Sequence, residues 1–317
     1  MTAGNVGAGP LIGVDWGATT LRTFRFNAAG KVVEQRVSAR GLLTTRSGAF
    51  EETLAAMIDD WLEEGPRRLI LCGMVGSRQG WVEAPYVACP ADAGALAARL
   101  APLHTRLGRA RIVPGLSIEG AERVDVLRGE ETQIFGAVGP GFSGLAVAPG
   151  THAKWARIAS GRIVDFRTWM TGELFALLRE HSILGRMMTD GPPDEAAFVL
   201  GVRRALGDSA VTSLLFGVRA EALLSRTEPA ALASYLSGLL IGAEVAGGLA
   251  WSAGDAGAAA SPIVLIGSPD LTGLYAEALA LAGRADVRVV DGAEASARGL
   301  WRLDGVAGVG GDGDDLG

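Results

Sequence analysis

Residues 11–26 read LIGVDWGATTLRTFRF. An apolar run delivers an aspartate into a small, hydroxyl-bearing turn, and the chain leaves along a second strand-like run. A buried strand of this kind holds Asp15 at a fixed place. Gly17 and Ala18 let backbone N–H groups come close to an anion, and Thr19 and Thr20 add hydroxyl donors. The carboxylate itself repels phosphate. The turn therefore makes chemical sense with Mg²⁺ in between, held through water because Mg²⁺ gives up its hydration shell reluctantly. The alternative is a plain hairpin whose aspartate caps its own turn.

Working outward, residues 31–37 form a third strand, joined to the second through Asn27-Ala28-Ala29-Gly30. Segment 51–64 places Leu54, Met57, Ile58, Trp61 and Leu62 on one helical face before Gly65-Pro66 stops it. A strand at 68–72, a helical stretch near 92–103 and a strand at 110–113 complete a mixed sheet covered by helices.

The second half opens in the same way. It has strands at 144–149, 154–158 and 162–168, then helices over about 173–255, a strand at 262–267, a helix near 270–282, a strand at 286–290 and a helix near 292–302. Duplication of one α/β domain is the economical explanation. The expected organisation is a flexible start (1–10), a first domain (11–140), a second (141–303) and a disordered acidic, Gly-rich tail (304–317).

At 317 residues the chain is longer than one hydrophobic core usually serves, and 49% hydrophobic with 20% charged residues is a globular profile. A net charge of −6 without a basic run argues against nucleic acid or an anionic membrane as partner. Cys72 and Cys89 lack metal-ligand spacing and read as free thiols in a reducing compartment. No secretory leader and no run of 18 apolar residues is present, so a cytoplasmic location is expected. Homo-oligomerisation stays open.

Two such domains are expected to face each other across a ligand cleft, with the two first turns towards it. The second turn, APGTHAKW (148–155), offers Gly150, the Thr151 hydroxyl and the cation Lys154 as a cradle for a second phosphate, and His152 as a further donor. Lys154 reads equally as a solvated strand charge. In VLRGEETQIFGAV (126–138), Glu130 and Glu131 begin an apolar helix. The field of a helix N-terminus explains them structurally. As a base for an acceptor hydroxyl, either would serve, and spacing does not separate them.

Ten blocks, in order, carry a resemblance: DWGATTLR, GMVGSRQGW, APY, IVPGL, RGEETQ, PGTHAKW, DFRTWMTGEL, FGVRA, SGLLIGAEV and IGSPDLTGLY. Together they resemble the 2-dehydro-3-deoxygalactonokinases of the actin/hexokinase/Hsp70-like ATPase superfamily, over about residues 11–303. The resemblance implies two duplicated ribonuclease-H-like domains. It also implies ATP-dependent phosphorylation of 2-dehydro-3-deoxy-D-galactonate on its 6-hydroxyl, in galactonate breakdown.

Carried over block by block, Asp15 lies near Mg²⁺, with Thr19, Thr20 and Arg22 about the phosphates. Gly150, Thr151 and Lys154 form the second phosphate loop, and Gly267 and Ser268 the adenosine block. Related sugar kinases carry an aspartate where RGEETQ stands here, so Glu130, Glu131 or even Asp15 is the base. A sugar-acid carboxylate suits a bidentate arginine. Arg78, Arg128 and Arg167 are the candidates, with Arg167 favoured because Thr171 and Glu173 follow it. Trp81 and Tyr86 are candidates for a pocket wall.

Zinc, serine-hydrolase, P-loop and dinucleotide motifs are absent from the sequence. The alternatives are a kinase for another 2-keto-3-deoxy sugar acid or sugar, a non-catalytic nucleotide or sugar-acid sensor, and a phosphohydrolase of the same fold.

Overall fold

A computed structural model describes residues 10–63, 67–208, 210–253 and 261–310. The described residues fall into two compact units, one within 1–142, 158–165 and 291–317, the other within 143–157 and 166–290.

The first unit begins with β1 (Leu11–Trp16), β2 (Leu21–Phe26), β3 (Val32–Ser38) and α1 (Phe50–Leu62). After these come β4 (Arg68–Gly73), β5 (Tyr86–Ala88), α2 (Ala93–Ala97), β6 (Ala101–Leu103), β7 (Arg109–Ile112), β8 (Gly115–Glu119), β9 (Val124–Leu127) and α3 (Glu130–Ala137). The main sheet runs β3-β2-β1-β4-β7-β6. Strand β1 is antiparallel to β2, with Asp15 opposite Arg22, and parallel to β4, with Asp15 opposite Cys72. Every residue of β1 is buried, as an apolar strand with both neighbours paired requires. Helix α1 packs Leu54, Ile58 and Trp61 into this core, each fully buried side chain being worth about 1.5–3 kcal/mol. Met57 and Leu62 are partly buried against it. The Gly65-Pro66 stop lies outside the described residues.

The helix expected over 92–103 is short. Asp92 accepts from the Ala95 amide and starts α2, but the chain straightens into β6, where Pro102 has no N–H to continue a helix. A small sheet, β5-β8-β9, was not anticipated.

The second half of the chain carries β10 (Gly144–Ala148), β11 (Ala153–Ala159), β12 (Arg162–Trp169), α4 (Thr171–His181), α5 (Glu195–Gly207), α6 (Val211–Leu223), α7 (Leu232–Ser252), β13 (Ile263–Gly267), α8 (Pro269–Leu281) and β14 (Val287–Asp291). Its sheet runs β12-β11-β10-β13-β14, with β10 and β13 parallel. The order repeats that of the first unit around its central strand: two sequential strands on one side, a parallel strand on the other. Helix α7 is long and apolar enough to cross a membrane by length and composition, yet 61% of that window is buried within the protein, as in a core helix.

Helix α9 (Gly292–Gly310) corrects two expectations. It belongs to the first unit rather than to a domain ending at 303, and it is helical to 310, where disorder was expected from 304. Asp304 explains the order. It is buried and accepts from Arg68 Nη1 at 2.6 Å and Arg111 Nη2 at 2.9 Å, tying the helix end to β4 and β7. Residues 1–9 and 311–317, read as flexible and disordered ends, lie outside the described residues.

Candidate functional site

In the first unit, β1 and β4 end side by side, Trp16 opposite Gly73. Gly73 sits at φ +90°, and a Cβ there would stand 2.7 Å from the Trp16 carbonyl. Gly129, just before α3, in turn approaches the Gly73 backbone. Bare backbone at both positions brings the head of α3 against the end of β1. Asp15 and Glu130 are consequently within electrostatic reach of each other.

Asp15 is buried, and its Oδ2 accepts from Ser296 Oγ at 2.8 Å and from Arg22 Nη1 at 3.4 Å. Burial raises its carboxyl above the ordinary range, opposed by the Ser296 and Arg22 contacts and assisted by Glu130. Ser296, on α9, had no signal in the sequence. It arrives because α3 and α9 cross at glycines: a Cβ on Gly299 would lie 1.9 Å from the Thr132 carbonyl.

The two glutamates separate. Glu131 is fully buried, with Oε2 accepting from the Gly129 amide at 2.6 Å and Oε1 from Thr132 Oγ1 at 2.9 Å. Burial, then the neighbouring Glu130 charge, pushes it up to about 7. Glu130 is half-buried and accepts from the Arg128 amide at 3.1 Å. Behind them, burial first and then the Asp15 and Glu131 charges hold the Cys72 thiol well above its usual range.

The first turn corrects one detail. The Gly17 amide closes the turn by donating to the Thr20 carbonyl at 2.9 Å, so it does not reach for an anion. The carbonyls of Gly17, Ala18 and Thr19 accept from the amides of Leu42, Leu43 and Gly41. Thr19 is exposed and Thr20 half-buried at the tip.

The three arginines have different surroundings. The Arg78 side chain is 88% exposed, 3.6 Å from Glu83, and Arg167 is an exposed strand residue over the Trp251 ring. Arg128 is buried over the Tyr86 ring, with Nη2 donating to the Ala84 carbonyl at 2.8 Å, while its Nε and Nη1 have no hydrogen-bond partner among the described residues. Trp81 is partly buried, its ring stacked on Phe50 and edge-on to Trp16 at the margin of the core.

In the second unit, Gly150 and Thr151 line a cavity of about 950 Å³ together with Thr171, Gly172, Leu274 and Tyr275. No atom stands within 4 Å of a Cβ placed on Gly150, so the turn leaves open space there. The Thr151 carbonyl accepts from the Glu173 amide at 3.0 Å, and His152 Nε2 shares a hydrogen bond with Glu173 Oε2. Lys154 is not a solvated strand charge: it is buried, and Nζ donates to the His152 carbonyl at 2.9 Å, bracing the turn from within. Thr171 is buried and hydrogen-bonded to Glu244. Gly267 ends β13, 3.9 Å from the Pro149 carbonyl by its absent Cβ, and exposed Ser268 starts α8. Neither lines the cavity, whose walls come largely from α4, α5, α7 and α8; of these, α5 lies outside every quoted block.

Two α/β units, each a central strand flanked by sequential strands and a parallel partner, define the actin/hexokinase-like ATPase fold. The comparisons agree. The 2-keto-3-deoxy-galactonokinase family matches residues 15–303, and the chain belongs to that family. It is 39% identical over 310 residues to the "Probable 2-dehydro-3-deoxygalactonokinase" of Rhizobium meliloti (strain 1021), covering 93% of this chain and 99% of the relative. To the 2-dehydro-3-deoxygalactonokinase of Escherichia coli (strain K12) it is 37% identical over 289 residues, covering 91% and 95%. The crystal structure of a "putative 2-dehydro-3-deoxygalactonokinase protein" from Sinorhizobium meliloti matches with a TM-score of 0.84 at 37% identity, over 95% of this chain and 99% of that one.

Proposed function

We propose that the protein transfers the γ-phosphoryl group of ATP to the 6-hydroxyl of 2-dehydro-3-deoxy-D-galactonate, giving ADP and the 6-phospho sugar acid. The juxtaposition of Asp15 with the half-buried Glu130 carries this reading within the family. A kinase needs one carboxylate for its metal and another for the acceptor proton.

Among the described residues no three His, Cys, Asp or Glu side chains gather as an all-protein metal cage. A single fixed carboxylate such as Asp15 suits Mg²⁺, which keeps most of its water. When bound, the ion would neutralise phosphate charge. Both contacts to Asp15 fall on Oδ2, so neither engages Oδ1. Arg22, Thr19 and Thr20 stand by to meet phosphate oxygens. In the second unit, Gly150 and Thr151 offer the turn to the nucleotide, whose base and ribose the cavity accommodates; Gly267 and Ser268 flank the same strand ends.

Glu130 takes the role of base because it retains surface that a hydroxyl can reach, whereas both oxygens of Glu131 are occupied inside. Arg128 replaces Arg167 as the preferred holder of the substrate carboxylate. A buried guanidinium with two unpartnered nitrogens lacks an anion, and it adjoins Glu130 along the chain. His152 and Glu173 are occupied with each other and shape the second turn. The free thiols Cys72 and Cys89 fit a cytoplasmic enzyme.

The test is a panel of 2-keto-3-deoxy sugar acids with coupled ADP detection. Highest turnover with the galacto epimer is expected. Preference for another acid reassigns the substrate; phosphate release without acceptor indicates a hydrolase; binding without ADP release indicates a sensor.

A further inference from the structure

Helix α7 carries a single charged residue in 21, Glu244, and it is 2% exposed. A carboxylate inside an apolar helix bundle is costly unless donors surround it, and as a source of net stability such a group is weak. What it supplies is fixed geometry. Its Oε1 accepts from the Trp155 indole at 2.8 Å and its Oε2 from the Tyr275 hydroxyl at 2.6 Å. The Thr171 hydroxyl also bonds to it, and the Lys154 ammonium acts on it electrostatically. These partners come from β11, α8 and the first turn of α4. Tyr275 and Thr171 themselves line the cavity, and Lys154 holds the His152 carbonyl in the turn that presents Gly150 and Thr151.

We propose that Glu244 is a positioning residue for nucleotide binding, locking the second turn, the head of α4 and the cavity face of α8 into one wall. The proposal rests on the reading that the cavity takes the nucleotide. Packing alone would be served by an apolar side chain at 244. Only a group accepting from three elements at once keeps the phosphate end and the nucleoside end of the cavity in register.

Glu244→Gln retains size but offers one acceptor oxygen to donors that now occupy two. Tyr275→Phe removes one donor and leaves the charge. Titration calorimetry of the full chain with ADP should give a Kd raised about tenfold in Glu244→Gln and several-fold in Tyr275→Phe, a tenfold change being about 1.4 kcal/mol. Because the two share one bond, the double variant should be no weaker than Glu244→Gln alone. Steady-state kinetics should show the loss in the nucleotide KM, with the sugar-acid KM and kcat within about twofold, a split that general loosening of the unit would not give. If Glu244→Gln does not fold, Tyr275→Phe decides alone. Wild-type ADP affinity in the variants, or equal loss in both KM values, overturns the proposal while leaving the kinase function standing. Weakened ADP binding in a protein that phosphorylates no sugar acid keeps the positioning role and overturns the function. Failure of the wild type to bind ADP overturns both.

Discussion

Ser296 Oγ donates to Asp15 Oδ2 at 2.8 Å across 281 residues of chain. The bond is made inside the first unit, by a helix that returns to the opening strand at the end of the sequence. It favours the charged carboxylate against the burial that disfavours it. Replacing Ser296 with alanine should therefore raise the Asp15 pKa further. Its charged form would then be lost at higher pH, and the acid limb of the kcat/KM profile should move upward in pH. An unmoved limb would separate Asp15 from that ionisation.

Asp15→Asn keeps shape and most hydrogen bonding but removes the charge that would organise Mg²⁺. ADP release should be abolished while the circular dichroism spectrum and melting temperature remain close to wild type. Activity within a few-fold of normal would sink the metal role.

Glu130→Gln is expected to lower kcat by about 10²- to 10⁴-fold, the usual worth of a positioned base, with nucleotide affinity retained. Glu131→Gln should lose far less, since neither of its oxygens is available to a substrate. The reverse ranking would transfer the role of base to Glu131.

Glu131 also links stability to pH. Its folded pKa of about 7 lies above the ordinary glutamate value of 4.5, so between these values the folded protein binds the extra proton. The stabilisation is full below the unfolded pKa and is lost as pH rises through about 7. Relative to Glu131→Gln, the wild type should lose on the order of 1–3 kcal/mol from pH about 5 to about 8 in urea titrations. Parallel curves for the two proteins would contradict the buried, protonated state.

Gly299→Ala places a methyl where the Thr132 carbonyl already stands 1.9 Å away, so α3 and α9 must part. A loss of about 1–3 kcal/mol in denaturant midpoint is expected, with activity falling too because Ser296 and Glu130 ride on those helices. An unaffected midpoint would show that the crossing is looser than the backbone spacing requires.

Much of the fold was legible in local pattern. The Asp15 strand, the two matching three-strand openings and the face of α1 follow from periodicity and turn residues, which are short-range properties. The short α2, the β5-β8-β9 sheet and the extent of α9 were not, because long-range partners decided them: Asp304 is an ordinary acidic residue in a Gly-rich tail until Arg68 and Arg111 close on it. The site divides in the same way. Asp15, Arg22, Gly150 and Thr151 could be named from their blocks. Lys154 read as a phosphate ligand or a surface charge, and only its burial against the His152 carbonyl makes it a brace. Glu244 had a visible signal, one charge in an apolar helix, but its meaning depended on three donors distant in sequence.

By itself, the sequence determined that an aspartate ends a buried strand, that a second open turn mirrors the first, and that two glutamates begin a helix between them. Residue type and spacing suffice for that. Tertiary structure decided which glutamate keeps solvent access, which arginine is buried without enough partners, and that Ser296 rather than a neighbour in sequence holds Asp15. Burial and hydrogen-bond partnership depend on what the rest of the chain packs against each group, and local pattern carries no record of it.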